Sequence, residues 1–300
     1  MEEIAIWYSS YSVTQHTLAL RLLCFRRHGK GTPILIVPPQ AGHHSYIADY
    51  GPGQSLVKSA LNNYDGPVYA IEWKSCTFER RGECITSLLD QLHSAVKAIG
   101  GKVKLVGLCQ GGWLTAIYAT LYPVEALVLA GTPIDTSKGD SSLHKVSKLP
   151  LYLYQMAVFW GGGLMRGKTM LRSWKSNAPV KHYLTRHIFP SKDTKKFYKW
   201  YNHTQDLAGG WYLWAIENLF QKNKLGRNVL SVGGRAVDLR VLKNVHIVVG
   251  SNDDITPPEQ SLALLNYIDA SVYTIRGGHI GVFMSKKGIQ DVWNNLYKEL

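Results

Sequence analysis

The sequence predicts an α/β protein, a mostly parallel sheet flanked by helices with a helical cap inserted late in the chain. Three observations predict it. First, short runs such as Ile34-Leu-Ile-Val37 and Ala126-Leu-Val-Leu-Ala130 are apolar at every position, as strands covered on both faces of a parallel sheet must be. Second, helical patterns separate these runs, and parallel pairing requires such crossovers. Third, the stretch Val103 to Tyr118 reads as strand, sharp turn, helix. Its turn, Gly107-Leu-Cys-Gln-Gly111, has the G-x-C-x-G form of a nucleophile elbow, with sulfur where most such enzymes carry Ser.

In chain order, Leu18 to Phe25 reads as an early strand and Arg26 to Thr32 as a turn. Ile34–Val37 is a buried strand stopped by Pro38-Pro39. Ser55 to Leu61 is a short helix, and Val68-Tyr-Ala-Ile-Glu-Trp73 the next strand. Ile85, Leu88, Leu89, Leu92, Ala95, Val96 and Ile99 recur at helical spacing, which makes 84–99 an amphipathic helix. The elbow strand, its helix and Ala126–Ala130 follow. Regular alternation stops near residue 140 and resumes with a strand at Asn244–Gly250. A helix at Pro258–Ile268, a strand at Ser271–Ile275 and a last helix at Ile289–Leu300 complete the chain. The predicted division is therefore a core of 1–139 and 229–300 around a cap of 140–228.

Composition narrows the class. An apolar fraction of 45% with 11% aromatics supports a sizeable buried core. The start, Met1-Glu-Glu-Ile, lacks the basic region of a signal peptide. The most apolar run, Leu149 to Met165, is interrupted by Pro150, Gln155 and three glycines and is too short to span a bilayer. A soluble cytoplasmic protein without a transmembrane segment is expected. Four cysteines, 24, 76, 84 and 109, fit no metal spacing and no disulfide framework. Cys76 and Cys84 could pair, but free thiols in a reducing compartment are expected. The net charge of +13 reads first as a solvated basic surface and second as attraction for a phosphate-bearing substrate or an anionic surface. No nucleic acid is expected, because Lys and Arg look spread out and no recognition motif occurs.

The chemistry rests on order. A nucleophile on an elbow needs a base and a group to orient that base. In the α/β-hydrolase arrangement the acid follows the nucleophile and the histidine comes last. After the strand ending near Val249 stands Gly250-Ser-Asn-Asp-Asp-Ile-Thr256, and after the strand ending at Ile275 stands Arg276-Gly-Gly-His279. Cys109 is thus the expected nucleophile and His279 the base, on a glycine-bracketed loop free to swing over it. Asp253 and Asp254 are both candidates for the acid, and both could instead cap the helix at Pro257. The oxyanion hole should use the Gln110 amide plus one amide after Val37. Pro38 and Pro39 have none, which leaves Gln40, Ala41 or Gly42, with Gln40 preferred. The remaining histidines singled out, His43, His44, His144, His182, His187, His203 and His246, read as structural or surface groups. Each piece alone is commonplace, a tight turn, a loop histidine, a helix cap. Three pieces at strand ends in the right order are not.

The chain resembles the polyhydroxyalkanoate synthase and intracellular polyhydroxyalkanoate depolymerase superfamily, α/β-hydrolase-fold enzymes with a Cys-Asp-His triad. Matched blocks run through most of the chain. They are Ile36-Val-Pro-Pro39 with Ser55-Leu-Val57, Gly107–Gly112, Gly131-Thr-Pro-Ile-Asp-Thr136, Tyr212–Phe220, Gly234-Arg-Ala-Val-Asp-Leu239, Asp253-Asp-Ile255 and Gly278-His-Ile-Gly-Val-Phe283. The resemblance selects Asp253 as the acid, three residues after Gly250. Gly-x-Cys-Gln-Gly-Gly and Gly-Gly-His-Ile-Gly are similar to the synthases. Pro133-Ile-Asp-Thr136, Asp-Asp-Ile and Phe220-Gln look more like the depolymerases, and the chain is shorter than most synthases. An ester hydrolase of the depolymerase type, working through an acyl-thioester on Cys109, is therefore the leading expectation. A synthase-type acyltransferase using hydroxyacyl-CoA is the alternative. A granule-associated binding protein without turnover is a third reading, disfavoured by the complete triad. The implied partners are an aliphatic polyester or a hydroxyacyl ester or thioester, a polymer-granule surface, and a second copy in a homodimer. No cofactor or metal is implied. Trp113, Trp200, Trp211 and Trp214 are candidates to line an apolar substrate path under the cap. Gly161-Gly-Gly163 and Gly209-Gly210 are candidate lid hinges or simple turns.

Overall fold

The computed structural model describes residues 7–177 and 192–300. His182 and His187, with the rest of 178–191, lie outside the described residues. The framework is one eight-stranded sheet. Its strands are β1 (Ser12–His16), β2 (Leu20–Arg26), β3 (Ile34–Val37), β4 (Val68–Trp73), β5 (Lys104–Leu108), β6 (Ala126–Ala130), β7 (Val245–Gly250) and β8 (Ser271–Ile275). They lie in the order β1-β2-β4-β3-β5-β6-β7-β8. Pairing is antiparallel from β1 through β2 to β4 and parallel from β4 to β8. The predicted α/β architecture is thus the observed one.

The wholly apolar strands occupy the middle of the sheet for the reason that made them legible. Every residue of β3 and β6 is buried, and successive side chains serve opposite faces. Leu35 and Val37 join one core with Trp73, Leu105 and the inner residues of α2 (Ile85–Ala98). Ile34 and Ile36 join the other with Val106, Val128, Val248 and residues of α1 (Leu56–Asn63) and the C-terminal Trp293. The early strand is offset from expectation, and β1 was not foreseen. Ser12-Val-Thr-Gln-His16 is an exposed edge strand with an irregular register between Val13 and Gln15. Such an edge carries no apolar alternation to read. The predicted 258–268 helix divides into Pro258–Leu262 and a tighter turn at Ala263–Asn266.

Between β6 and β7 the chain forms α4 (Ser142–Ser147), α5 (Leu151–Trp160), α6 (Gly167–Asn177), α7 (Lys192–Asn202) and α8 (Gly209–Ala215). Their buried side chains extend the two sheet cores. Met170 and Trp211 join one, and Tyr198, Trp200 and Tyr201 the other. The glycines of this region serve close approach. Gly162 and Gly163 take positive φ, the Gly209 amide donates to the Gly163 carbonyl at 2.9 Å, and a Cβ on Gly209 would lie 2.3 Å from Val158 Cγ1. These are packed turns. No helix among the described residues is long and apolar enough to cross a membrane.

A tight backbone crossing lies at the elbow. A Cβ on Gly107 would meet Gly112 Cα at 2.6 Å, and one on Gly111 would meet the Val37 carbonyl oxygen at 2.0 Å. Both obstacles are backbone and cannot rotate away. Gly111→Ala is therefore expected to cost about 3 kcal/mol or more, at or beyond the upper end of ordinary overpacking, read from urea unfolding. Gly82 has open space around it, and Gly82→Ala should stay within about 0.5 kcal/mol of the parent. Equal stability of the two variants would refute the crossing.

Candidate active site

The fully buried strand β5 ends at Leu108, and α3 (Gln110–Leu121) begins two residues later. Cys109 sits between them at φ 50° and ψ −112°, a conformation a residue with a side chain adopts only under strain. Its amide donates to the Ala130 carbonyl at 2.8 Å, which ties the bend to the end of β6. The bend lifts the half-buried sulfur above the C-terminal ends of the strands, where this fold class places its chemistry.

Asp253 follows β7, and its side chain is 0% exposed. One carboxylate oxygen accepts from the amides of Ile255 and Thr256 at 2.9 and 2.8 Å. The other lies 2.7 Å from His279 Nδ1 and accepts from Thr256 Oγ1 at 2.9 Å. Burial alone would push this carboxyl up. The bonds from His279 and Thr256 outweigh it and hold the carboxyl below the usual carboxylate value. Asp254 is exposed, so geometry separates the two aspartates. The helix at Pro258 is preceded by Pro257 and takes no side-chain cap, so neither aspartate serves it.

His279 is not on a swinging loop. It is the first residue of α9 (His279–Met284), after Gly278, and its ring stands edge-on to Phe283 at 5.3 Å. The helix was missed because His-Ile-Gly-Val-Phe-Met is short and follows two glycines, which read as loop. The imidazole lies 2.7 Å from an Asp253 oxygen through Nδ1, and the Cys109 sulfur is near enough to act on its charge. Burial draws its pKa down, but the Cys109 sulfur and the Asp253 carboxylate more than reverse this and raise it to about 10. An imidazole held this way is a cation at neutral pH.

Thr256 was not foreseen. Its hydroxyl lies 3.0 Å from His279 Nδ1 and 3.1 Å from the Gly131 carbonyl, and so joins the acid, the histidine and the end of β6. The only sequence signal is a hydroxyl residue three positions after the acid, the spacing at which an Asp side chain closes a turn.

Two amides after β3 converge on one oxygen, which belongs to the protein itself. The Gln110 carboxamide oxygen accepts from the Gln40 amide at 2.6 Å and the Ala41 amide at 3.4 Å. Gln110 Nε2 and both polar atoms of the Gln40 side chain are buried without a partner. The loop can thus hold an oxygen of carbonyl type, and an incoming carbonyl would take the place Gln110 now fills.

Trp113, Trp200 and Trp211 are buried in the two cores, and Trp214 is half-buried against the first core. Trp200 helps to clamp the loop after β3. Its Nε1 donates to the His44 carbonyl at 3.0 Å, and its ring lies 4.6 Å from that of His43. Burial lowers both His43 and His44 to about 3, which keeps them neutral. His246 is buried on β7 beside the Tyr273 hydroxyl, and His144 lies 3.3 Å from the Thr136 carbonyl. Asp135 and Thr136 bind Asn223, which makes Pro133–Thr136 a brace for the chain above it. All four cysteines are free. Cys84 is exposed, and bonds from the Ser87 and Thr86 hydroxyls lower it to about 7. No group of side chains able to hold a metal ion occurs among the described residues.

The raised His279 carries a sign. Its contribution to stability is complete below its ordinary value near 6.5 and is lost as pH rises through about 10. The imidazole carbon-bound protons, followed by NMR in otherwise unlabelled protein, should titrate near 10. In Cys109→Ala the midpoint should fall toward 6.5. A wild-type midpoint near 6.5 would show that these neighbours do not hold the proton on the ring.

Comparison with known proteins agrees with the fold. The family described as "Protein of unknown function (DUF3141)" matches residues 26–290. A Poly(3-hydroxyalkanoate) polymerase subunit PhaC from Haloferax mediterranei is 26% identical over 98% of the chain and 64% of its own length. One from Synechocystis is 27% identical over 87% of the chain and 75% of its own length. The chain thus spans about two thirds to three quarters of these relatives. An alpha/beta fold family hydrolase from Bacillus anthracis superposes with a TM-score of 0.56 at 15% identity, over 98% of this chain and 99% of its own. That likeness concerns the fold. The chain belongs to the DUF3141 family, within the polyhydroxyalkanoate synthase-type superfamily of α/β hydrolases.

Proposed function

We propose that this chain is a cysteine-dependent acyltransferase of the polyhydroxyalkanoate-synthase type, with Cys109 as nucleophile, His279 as acid and base and Asp253 as the group that orients His279. The observation that carries the reading is the convergence of the Asp253 carboxylate, 2.7 Å from Nδ1, and the Cys109 sulfur on the His279 imidazole. The acyl-transfer direction draws on the relatives' printed name, polymerase subunit.

His279 takes the proton of the Cys109 thiol. The sulfur attacks the carbonyl of a hydroxyacyl-CoA thioester, and the developing oxyanion takes the amides of Gln40 and Gln110. His279 gives its proton to the departing CoA sulfur, leaving an acyl-thioester on Cys109. A hydroxyl of a second hydroxyacyl unit then attacks, His279 accepts its proton, an ester bond forms and Cys109 leaves as thiolate. Sulfur suits this task. Exchange of one thioester for another is nearly isoenergetic, so the acyl group stays activated for a hydroxyl that is a weak nucleophile. Residues 140–228 are proposed as the lid over this centre, because they hold the Gln40–His44 loop that would polarise the carbonyl.

Hydrolysis of a polyester is the second reading. It needs only that water replace the hydroxyl acceptor on the same acyl-enzyme. Of the residues that favoured it, Asp135 and Thr136 brace the chain through Asn223 and the Leu219 carbonyl, a role indifferent to the acceptor.

Hydroxybutyryl-CoA and amorphous polyhydroxybutyrate, each incubated with the protein, decide between them. CoA release with polymer growth is expected; release of hydroxy acids from the polymer with no CoA turnover would establish the hydrolase instead. Cys109→Ala should lower either activity by about 10³-fold or more while keeping the parent circular dichroism. Asp253→Asn should cost about 10²–10⁴-fold in kcat, since it frees the imidazole to take the wrong tautomer. Active-site alkylation is best read in a Cys84→Ser background, because Cys84 is itself exposed and lowered to about 7.

A further inference from the structure

The helix α5 presents a face that the fold leaves uncovered. Of its ten residues only Tyr154 and Val158 are buried. Tyr152, Leu153, Met156, Phe159 and Trp160 point outward, Phe159 and Trp160 being 78% and 76% exposed, and Leu149 precedes them in the same state. Positions 149, 152, 153, 156, 159 and 160 share one side of a helix. Phe78, also exposed, adjoins the stripe at its C-terminal end, where its ring lies 3.4 Å from the Cβ position of Gly162. A contiguous apolar face of this kind is uncommon on a soluble surface and marks an interaction site.

Charge identifies the occupant. No charged residue lies between Leu149 and Met165. Lys145 and Lys148 stand exposed before the stripe, and Arg166 and Lys168 after it. The Arg81 guanidinium lies 3.8 Å over the Phe78 ring at the same end. The neighbouring acids are few. Asp206 pairs with Arg166 at 2.8 Å, Asp140 approaches Lys145 only to 3.9 Å, and Glu79 is exposed beside Phe78. Basic residues are not spread evenly after all. Residues 141–205 hold twelve Lys and Arg against the one acid Asp193, a local +11 of the chain's +13.

We propose that α5 docks this region onto the surface of an anionic phospholipid bilayer. The stripe would lie in the plane of the interface, its aromatic side chains at headgroup depth and the cations at its two ends against acidic headgroups. At ten residues it spans about 15 Å and cannot cross the bilayer. A protein partner would need no such concentration of cations around an uncharged stripe. The proposal is independent of the chemistry at Cys109, because α5 supplies no residue to that site.

The test is flotation of the whole chain with vesicles of phosphatidylcholine alone or mixed with phosphatidylglycerol. Binding should be roughly tenfold greater on the mixed vesicles and should weaken at high salt. Phe159→Asp with Trp160→Asp should abolish it, and Lys145→Glu with Lys148→Glu should reduce it; both pairs are exposed, and circular dichroism checks that the fold survives. Equal binding to neutral and anionic vesicles, or undiminished binding by the Phe159/Trp160 variant, would overturn the proposal. So would self-association in light scattering that the same variant removes without any vesicle binding, since the face would then be an interface between copies. Capture on uncharged polyester particles but not on anionic vesicles would overturn it in the same way.

Discussion

The constraint on which the rest depends is the left-handed backbone at Cys109. A residue with a Cβ at φ 50° is held there only if its surroundings leave no other course. Here they do not. The preceding strand is pinned between β3 and β6 in parallel register, and the following helix is pressed against the Val37 carbonyl so closely that Gly111 can carry no side chain. Gly112 lies against Thr132 in the same way. Strand, bend and helix therefore form one rigid body, and the sulfur's position follows from backbone packing rather than from its own rotamer. The other groups of the site are hung from the ends of the same strands, β3, β6, β7 and β8. Their relative placement inherits the sheet's rigidity.

The second layer of support comes from the residues between β6 and β7. The His44 amide donates to the His203 carbonyl at 3.1 Å, Trp200 donates back to His44, and the Gln205 carboxamide reaches the Trp73 carbonyl at 2.5 Å. The ring of His43 lies within 5.0 Å of those of Trp174, Trp200 and Tyr201. The loop whose amides converge on the Gln110 oxygen is thus built partly from the far side of the molecule. Any displacement of α6 or α7 would be felt by those amides directly. The buried, neutral state of His43 and His44 keeps that coupling apolar, so acidity near neutrality does not loosen it.

Much of this was legible in the sequence, and the division has physical reasons. Strands apolar at every position announce themselves, because nothing but a doubly covered strand tolerates four or five such residues in a row. Residues 34–37 and 126–130 accordingly coincide with their expected bounds, as do the less uniform 68–73 and 271–275. The glycines at 107 and 111 were legible from the mechanics of a tight crossing. The edge strand β1 was not, because an exposed strand has no apolar face to pattern. The short helix that carries His279 was not, because six residues after two glycines hold too little periodicity. Thr256 and the Gln110 carboxamide act through contacts formed only after folding, between segments more than a hundred residues apart in the case of Thr256 and Gly131.

The Gln40 amide, proposed for the oxyanion, already has an occupant from the protein itself. A carboxamide oxygen is an uncharged carbonyl, and the Gln40 and Ala41 amides hold it at hydrogen-bond distance, the first of them close. The attraction is that of a neutral acceptor, whereas an oxyanion forming on a bound thioester would carry a full negative charge and bind the shared donor, the Gln40 amide, about twice as strongly. Gln110 is therefore a weaker occupant than the species the proposed reaction would generate there. Its displacement frees a carboxamide whose nitrogen is already without a partner, and that nitrogen becomes available to the acyl group that displaced it. The residue after the nucleophile would then act twice, as a backbone donor fixed by the helix start and as a side chain that yields its place only to a carbonyl able to acquire charge. On this view the identity of residue 110 belongs to the proposed mechanism as much as that of residue 109, and a glutamine is suited to it because it presents the same group as the substrate without being able to react.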